Sequence, residues 1–302
     1  MQLQTTLENT VTLAGPGLHT GKMVEVTLKP AQANTGILFR RTDLNPIVDI
    51  PALTSSVGET SRSTAITRDN ASVCTIEHLM SALHGLSVDN VIAEINGPEV
   101  PILDGSARPW VEAIKKAGKA ELDAPRSFVV VTEKIEMTEG SSRYLAEPAD
   151  DFMVSCIIDF PSPAIGHQEA SFATGDNYIE QVAPCRTFVF LHEIEPLLAN
   201  NLIKGGALDN ALVFVDHPLA PEQAERLGKV YGKDPNSFQV KNGVLNTVQP
   251  YFPNEPARHK LLDFIGDILL VGAPLKGHFT IECPGHKNNV AFAQKVIDSI
   301  KK

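Results

Sequence analysis

The chain presents the same run of elements twice. Residues 75–86 place Ile76, Leu79, Met80 and Leu83 at helical spacing and stop at Gly85. A strand follows at 91–95, then a loop at 97–105, then a helix at 107–117. Near the other end, a helix over 257–270 is followed by a strand at 278–283, a turn at Pro284-Gly285 and a helix from about 288 to 300. Strand patterns precede both runs: 7–13, 23–29 and 36–41 in the first half, 128–136 and 152–159 in the second. Helix, strand, turn and helix thus occur in the same order in both halves. The duplication rests on element order alone, because identity between the halves is weak. The segment Glu121-Leu-Asp-Ala-Pro-Arg-Ser127 reads as a linker, which divides the chain into units at 1–123 and 128–302. Residues 195–216 interrupt the second unit as an apolar helix-plus-strand insertion.

Composition narrows the function. At 302 residues and 43% hydrophobic content, the chain can build real cores and suits two domains. A formal charge of −10 argues against general nucleic-acid binding and against an anionic membrane surface, though not against a local basic pocket. Cys74, Cys156, Cys185 and Cys283 form no C-x-x-C pair, as expected of thiols in a reducing compartment. The first residues lack the basic start and apolar stretch of a signal peptide, and no run approaches the roughly 18 apolar residues of a membrane span. The expectation is a cytoplasmic, soluble protein without stable membrane insertion.

The chemistry-bearing residues concentrate on the recurring helices. His259 and Asp263 are four apart, so a helix stacks them on one face, where an imidazole and a carboxylate can share a metal. His78 supplies a third ligand, as a catalytic zinc needs, and Glu77 beside it suits a base for a metal-bound water. For this the 75–86 and 257–267 helices must meet. Bland readings stand beside each residue. His259, Asp263 and Asp267 also describe the solvated stripe of an amphipathic helix. Glu77 also suits the helix dipole, and there is no H-E-x-x-H. His286, on the Gly285 turn, is either a surface histidine or an imidazolium held by Asp267 and able to act as an acid. Lys260 either holds a phosphate or is solvated, and Thr187 is one of many threonines able to donate to an oxyanion. His84 points away from His78 and reads as structural.

Ordered blocks along the chain carry more weight. They are Gly17-Leu-His-Thr-Gly21, Gly36-Ile-Leu-Phe-Arg40, Thr75-Ile-Glu-His-Leu-Met-Ser-Ala-Leu83, Asp89-Asn90, Pro101-Ile-Leu-Asp-Gly-Ser-Ala107, Arg186-Thr-Phe188, Gly205-Gly-Ala-Leu-Asp209, His259–Asp267 and Gly285-His286. From about residue 3 to about 300 the chain resembles the UDP-3-O-acyl-N-acetylglucosamine deacetylases, zinc hydrolases of lipid A biosynthesis. The resemblance implies two α+β domains of the ribosomal protein S5 domain 2-like type, with the active site between them. It implies one zinc ion on His78, His259 and Asp263, Glu77 as general base, His286 as general acid oriented by Asp267, and Thr187 at the oxyanion. It also implies substrate contacts from Lys260 at the diphosphate, Phe188 and His19. The insertion would form a passage for the acyl chain, with Leu198, Leu202 and Leu212 as wall residues. One departure is His192-Glu193, where the family more often has Asp before the Ile.

The expected substrate is thus an acylated UDP-sugar, hydrolysed to acetate and the free 2-amino sugar by a monomeric enzyme. A non-catalytic nucleotide-sugar binding protein on the same scaffold is the rival, and would lose ligands or the acid/base pair. A small-molecule kinase would need a Gly-rich loop entering a helix, whereas Gly15–Gly21 leads into a strand pattern.

Overall fold

The computed structural model describes residues 2–199 and 203–300. The first half contains β1 (Leu3–Leu7), β2 (Val11–Pro16), β3 (Met23–Pro30), β4 (Ile37–Arg41), β5 (Val48–Pro51), β6 (Ile66–Arg68), β7 (Ala71–Val73), α1 (Glu77–Gly85), β8 (Val91–Ile95), α2 (Arg108–Ala117) and β9 (Lys119–Pro125). Its main sheet has the order β2-β3-β8-β4-β5, with β4 and β8 parallel and the other neighbours antiparallel.

The second half contains β10 (Val129–Val130), β11 (Ile135–Glu139), β12 (Ser142–Glu147), β13 (Phe152–Asp159), β14 (His167–Ala173), α3 (Tyr178–Gln181), β15 (Phe188–Phe190), α4 (Leu191–Ala199), β16 (Leu212–Phe214), α5 (Pro221–Tyr231), β17 (Val240–Lys241), β18 (Val244–Leu245), α6 (Glu255–Ile268), β19 (Leu275–Glu282) and α7 (His286–Ile300). Its main sheet runs β11-β12-β19-β13-β14, with β13 and β19 parallel and β10 added beside β19. Strand for strand this is the first sheet again. The duplication expected from element order is therefore a duplication of topology. In each half an insertion precedes the buried helix, between β5 and α1 in the first half and between β14 and α6 in the second. It carries the β6–β7 hairpin in one half and the longer β15–β18 module in the other.

Alternating burial along β3, β8, β13 and β19 turns one face of each sheet toward the helices. Helices α1 and α6 lie between the sheets and pack on one another, so both are buried nearly all round. One hydrophobic core spans both halves and includes Leu83, Trp110, Phe264 and Phe279. The second insertion has its own small core of Leu191, Ile194, Val213, Val215, Leu227, Phe238 and Leu245.

Several sequence expectations change. The strand expected over 128–136 is two strands, β10 and β11, and the insertion expected at 195–216 extends over the whole β15–β18 module. The alternation over 7–13 crosses a corner: Leu7 ends β1, and the chain turns at Glu8 and Asn9, whose amides bond to Gly118 and Ala117, before β2 starts. The supposed linker at 121–127 is mostly β9, zipped antiparallel to β1. Its Glu-Leu-Asp-Ala alternation was a half-buried strand. No helix among the described residues is long and apolar enough to cross a membrane.

Candidate metal centre and active-site cleft

Helix α1 begins at Glu77, so Glu77 and His78 occupy its first turn. Helix α6 carries His259, Asp263 and Asp267 along the face turned to α1. Where the two helices touch, Asp263 Oδ1 lies 3.6 Å from His78 Nε2 and 3.4 Å from His259 Nε2. The imidazole rings stand edge to face with centroids 5.1 Å apart. Among the described residues these three form the one cluster whose metal-ligating atoms all lie within 4.8 Å of one another, and all three are buried. Asp263 Oδ1 has no hydrogen-bond partner there, although it is shut off from solvent. A buried carboxylate oxygen is not left unpaired without a reason. Two imidazole nitrogens and this oxygen make the donor set of a divalent metal site with an open position.

The surroundings tune two of the three residues. His259 Nδ1 donates to the Cys185 carbonyl at 3.0 Å, which leaves the Nε2 lone pair facing Asp263. Burial lowers its pKa to about 3, against the pull of Asp263, so the ring is neutral as a ligand must be. Burial would raise the Asp263 pKa, but the neighbouring imidazoles and the Lys260 ammonium outweigh it and hold the carboxyl well below its usual range. Lys260 Nζ donates to Asp263 Oδ2 at 2.8 Å and lies 5.7 Å from the Phe188 ring centroid.

Two further groups flank the ligands. Glu77 is buried, and desolvation raises its pKa. His286, the first residue of α7, donates from Nδ1 to Asp267 Oδ2 at 2.9 Å. Burial would depress its pKa, but the Asp267 carboxylate, their hydrogen bond and Glu77 together raise it to about 9. The imidazolium is therefore its form at neutral pH. Both pKa values move up, so Glu77 is more basic than an exposed carboxylate and His286 holds its proton, side by side with the two-histidine, one-aspartate cluster.

The cleft above the centre is lined by His19, Thr187, Phe188, Lys260 and His286. It extends over an apolar wall of Ile102, Ile194, Leu197, Ile203, Val213 and Tyr231. All ten sequence-derived residues from His19, Glu77 and His78 through Thr187, Phe188, His259, Lys260 and Asp263 to Asp267 and His286 thus converge on one region. Asp267 stands behind His286, and the other nine line the cleft itself. Lys260, expected at a diphosphate, is paired here with Asp263. Leu212 is not a wall residue: it is fully buried in the main core, and its strand neighbours Ala211 and Val213 face the cleft. Leu202 lies outside the described residues, as does the side chain of Leu198. The departure at Glu193 keeps a carboxylate, which pairs with Arg62 at 3.0 Å. His84 packs on the Phe152 ring at the far end of α1, as a structural residue should.

Several supporting residues escaped the sequence reading. Glu255, at the start of α6, is fully buried and holds Arg186 through its side chain and amide. It thereby pins Thr187 and Phe188 beside His259. Glu99, also fully buried, accepts from the His19 and Thr20 amides and fixes the turn that carries His19. Asn289 donates to Asp267 Oδ2 at 2.9 Å. Its spacing of three from His286 at a helix start was the available signal. Glu99 gave none, because its partners lie about eighty positions away.

Fold and site together define a duplicated α+β scaffold with a two-histidine, one-aspartate centre between its halves. The family model described as UDP-3-O-acyl N-acetylglycosamine deacetylase matches residues 4–228 and 234–298. The chain belongs to this family. It is 42% identical over 297 residues to the bifunctional enzyme LpxC/FabZ of Chlorobaculum tepidum, covering 97% of this chain and 64% of that protein. It is 41% identical over 305 residues to the protein of the same name from Porphyromonas gingivalis, covering 100% and 65%. To the UDP-3-O-acyl-N-acetylglucosamine deacetylase of Coxiella burnetii it is 38% identical over 298 residues, covering 97% and 90%. The chain therefore spans just under two thirds of the two bifunctional proteins.

Proposed function

We propose that this chain is a zinc-dependent amidase that removes the N-acetyl group from UDP-3-O-acyl-N-acetylglucosamine. The products are acetate and UDP-3-O-acyl-glucosamine, in the committed step of lipid A biosynthesis, carried out in the cytoplasm by a monomer. The observation that carries this reading is the unpartnered Asp263 Oδ1 between two imidazoles, with Glu77 and His286 on the same cleft.

His78, His259 and Asp263 would hold the metal, which when bound supplies Lewis acidity toward the acetamide carbonyl and a water. Glu77, desolvated and aimed into the cleft, accepts the proton of the attacking water. Thr187 donates to the oxygen that gains charge. As the carbon–nitrogen bond breaks, the His286 imidazolium delivers its proton to the departing amine. Asp267 keeps the ring oriented and charged. Lys260 and His19 serve the polar end of the substrate, and Phe188 packs on the sugar region. The acyl chain lies along the Ile194, Leu197 and Val213 wall. A protein that only bound nucleotide sugars would have no use for a desolvated carboxylate and a charged imidazolium on one cleft.

The decisive experiment is metal analysis of the purified chain coupled to a deacetylation assay. One zinc per chain, and acetate release abolished by chelation and restored by zinc, is the expected result. Full turnover in metal-free protein would overturn the reading.

A further inference from the structure

Thr64 lies in the first-half insertion, 13 positions before Glu77 and 203 before Asp267, and is fully buried. All three of its polar groups are engaged. Its amide donates to Glu77 Oε2 at 3.1 Å. Its hydroxyl donates to Asp267 Oδ1 at 2.6 Å. Its carbonyl accepts from the Ile76 amide at 3.4 Å, at the entry to α1. One residue thus touches two carboxylates, that of the base Glu77 and that of Asp267, which holds the acid His286.

Asp267 shows why the hydroxyl matters. Its Oδ2 accepts from His286 Nδ1 and from Asn289, both on α7. Its Oδ1 accepts from Thr64. With donors on both oxygens the carboxylate plane is fixed, and with it the direction in which His286 presents Nε2. Without the hydroxyl, Oδ1 would be a buried carboxylate oxygen with no donor, and the group would rotate or recruit water.

We propose that Thr64 is a positioning residue for the reaction: it links the two insertion-flanked halves and sets the Asp267–His286 pair relative to Glu77. This rests on the reading of Asp267 and His286 as the acid pair. The backbone link to Glu77 survives any side-chain change, so the hydroxyl can be tested alone.

The test compares zinc-loaded wild type with Thr64→Val, Thr64→Ala, Thr64→Ser, Asp267→Asn and the Thr64→Val/Asp267→Asn double variant. Each is measured for kcat, KM, metal content and thermal unfolding. Thr64→Val should lower kcat about tenfold or more, the value of one hydrogen bond to a charged group, with KM and zinc content unchanged. Thr64→Ser should restore most of the loss. The double variant should be no slower than Asp267→Asn alone, because both changes remove the same function. In the metal-free protein, the low-field Nδ1–H proton resonance of His286 should shift in Thr64→Val and remain in place in Thr64→Ser. If bulk at the valine prevents folding, Thr64→Ala removes the hydroxyl without adding volume and should show the same kcat loss. An impaired Asp267→Asn beside a fully active Thr64→Val or Thr64→Ala overturns the proposal and leaves the acid pair standing. So does a loss that appears in KM or zinc content, or one that Thr64→Ser does not rescue. A fully active Asp267→Asn instead overturns the acid pair, and the positioning role with it.

Discussion

Gly266 faces the carbonyl oxygen of Glu77 so closely that a Cβ placed on it would stand 2.1 Å from that oxygen and 3.1 Å from the Ser81 amide nitrogen. The contact is backbone to backbone, between the paired helices α1 and α6. It occurs one residue from Asp267 and at the first residue of α1, so the helix spacing that admits glycine also sets the ligand spacing. Gly266→Ala should push the helices apart. Overpacking of this kind costs about 1–3 kcal/mol. We expect a lower Tm together with reduced zinc content and activity. An alanine variant with wild-type Tm and full zinc occupancy would show that the helices tolerate wider spacing.

The ligand assignment makes its own prediction. His259→Ala removes a donor whose tautomer is already set by the Cys185 carbonyl. Zinc content and turnover should fall together, and chelator concentrations that spare the wild type should strip the rest. Normal turnover with full occupancy would remove His259 from the ligand set.

Glu77 and His286 should separate from the ligands. Glu77→Ala and His286→Ala should each retain zinc and lose about 10²-fold or more in kcat. The kcat/KM profile should be bell-shaped, and its basic limb should be altered in His286→Ala. An unchanged basic limb in that variant means another group protonates the amine.

His286 also links stability to pH in the metal-free protein. Its folded pKa of about 9 lies above the unfolded value of about 6.5. Protonation therefore favours the folded state. The contribution is fully present below about pH 6.5 and is lost as pH rises through about 9. In urea titrations, His286→Gln should be less stable than wild type at acidic pH, with the gap closing as pH rises through that window. A gap that widened with pH would reverse the sign and remove the Asp267 pairing as its cause.

The contrast between what could and could not be foreseen follows contact distance. His259 and Asp263 were legible because a helix converts a spacing of four into adjacency. The duplicated topology was legible because helix, strand and helix periods recur in the same order. Their meeting on one centre was not visible in either helix alone. It depends on Gly266, which reads locally as an ordinary weak helix residue. Thr64 and Glu99 were silent for the same reason, since their partners are distant in sequence and neither sits in a periodic pattern. Leu212 misled because an apolar residue in the insertion reads alike whether it lines a passage or fills the core. The β9 segment misled because its acids and proline resemble a linker, while its pairing with β1 is long-range.

The apolar wall carries the substrate prediction. Ile194 and Tyr231 line the cleft above the candidate metal centre and also a second, mainly apolar cavity between α4 and α5, bounded by Leu191, Leu227 and Val230. Tyr231 is the last residue of α5, followed by Gly232 in the left-handed region, so its ring is placed by the end of the helix. It is, with Ile194, a wall shared by both cavities. An acyl chain from the cleft should reach as far as this ring and then compete with it for space. Each buried methylene is worth about 0.8 kcal/mol at most, so a long chain can dominate affinity. Substrate without the 3-O-acyl group should lose orders of magnitude in kcat/KM. Ile194→Asp or Val213→Asp should hurt long-chain substrates more than short ones. Tyr231→Ala should join the two cavities and move the preferred chain length upward, while Tyr231→Phe should leave it in place. A wild type indifferent to the acyl group would remove the passage and the lipid assignment. A wild type that requires the acyl group, with an unchanged length optimum in Tyr231→Ala, would remove only the limit set by Tyr231.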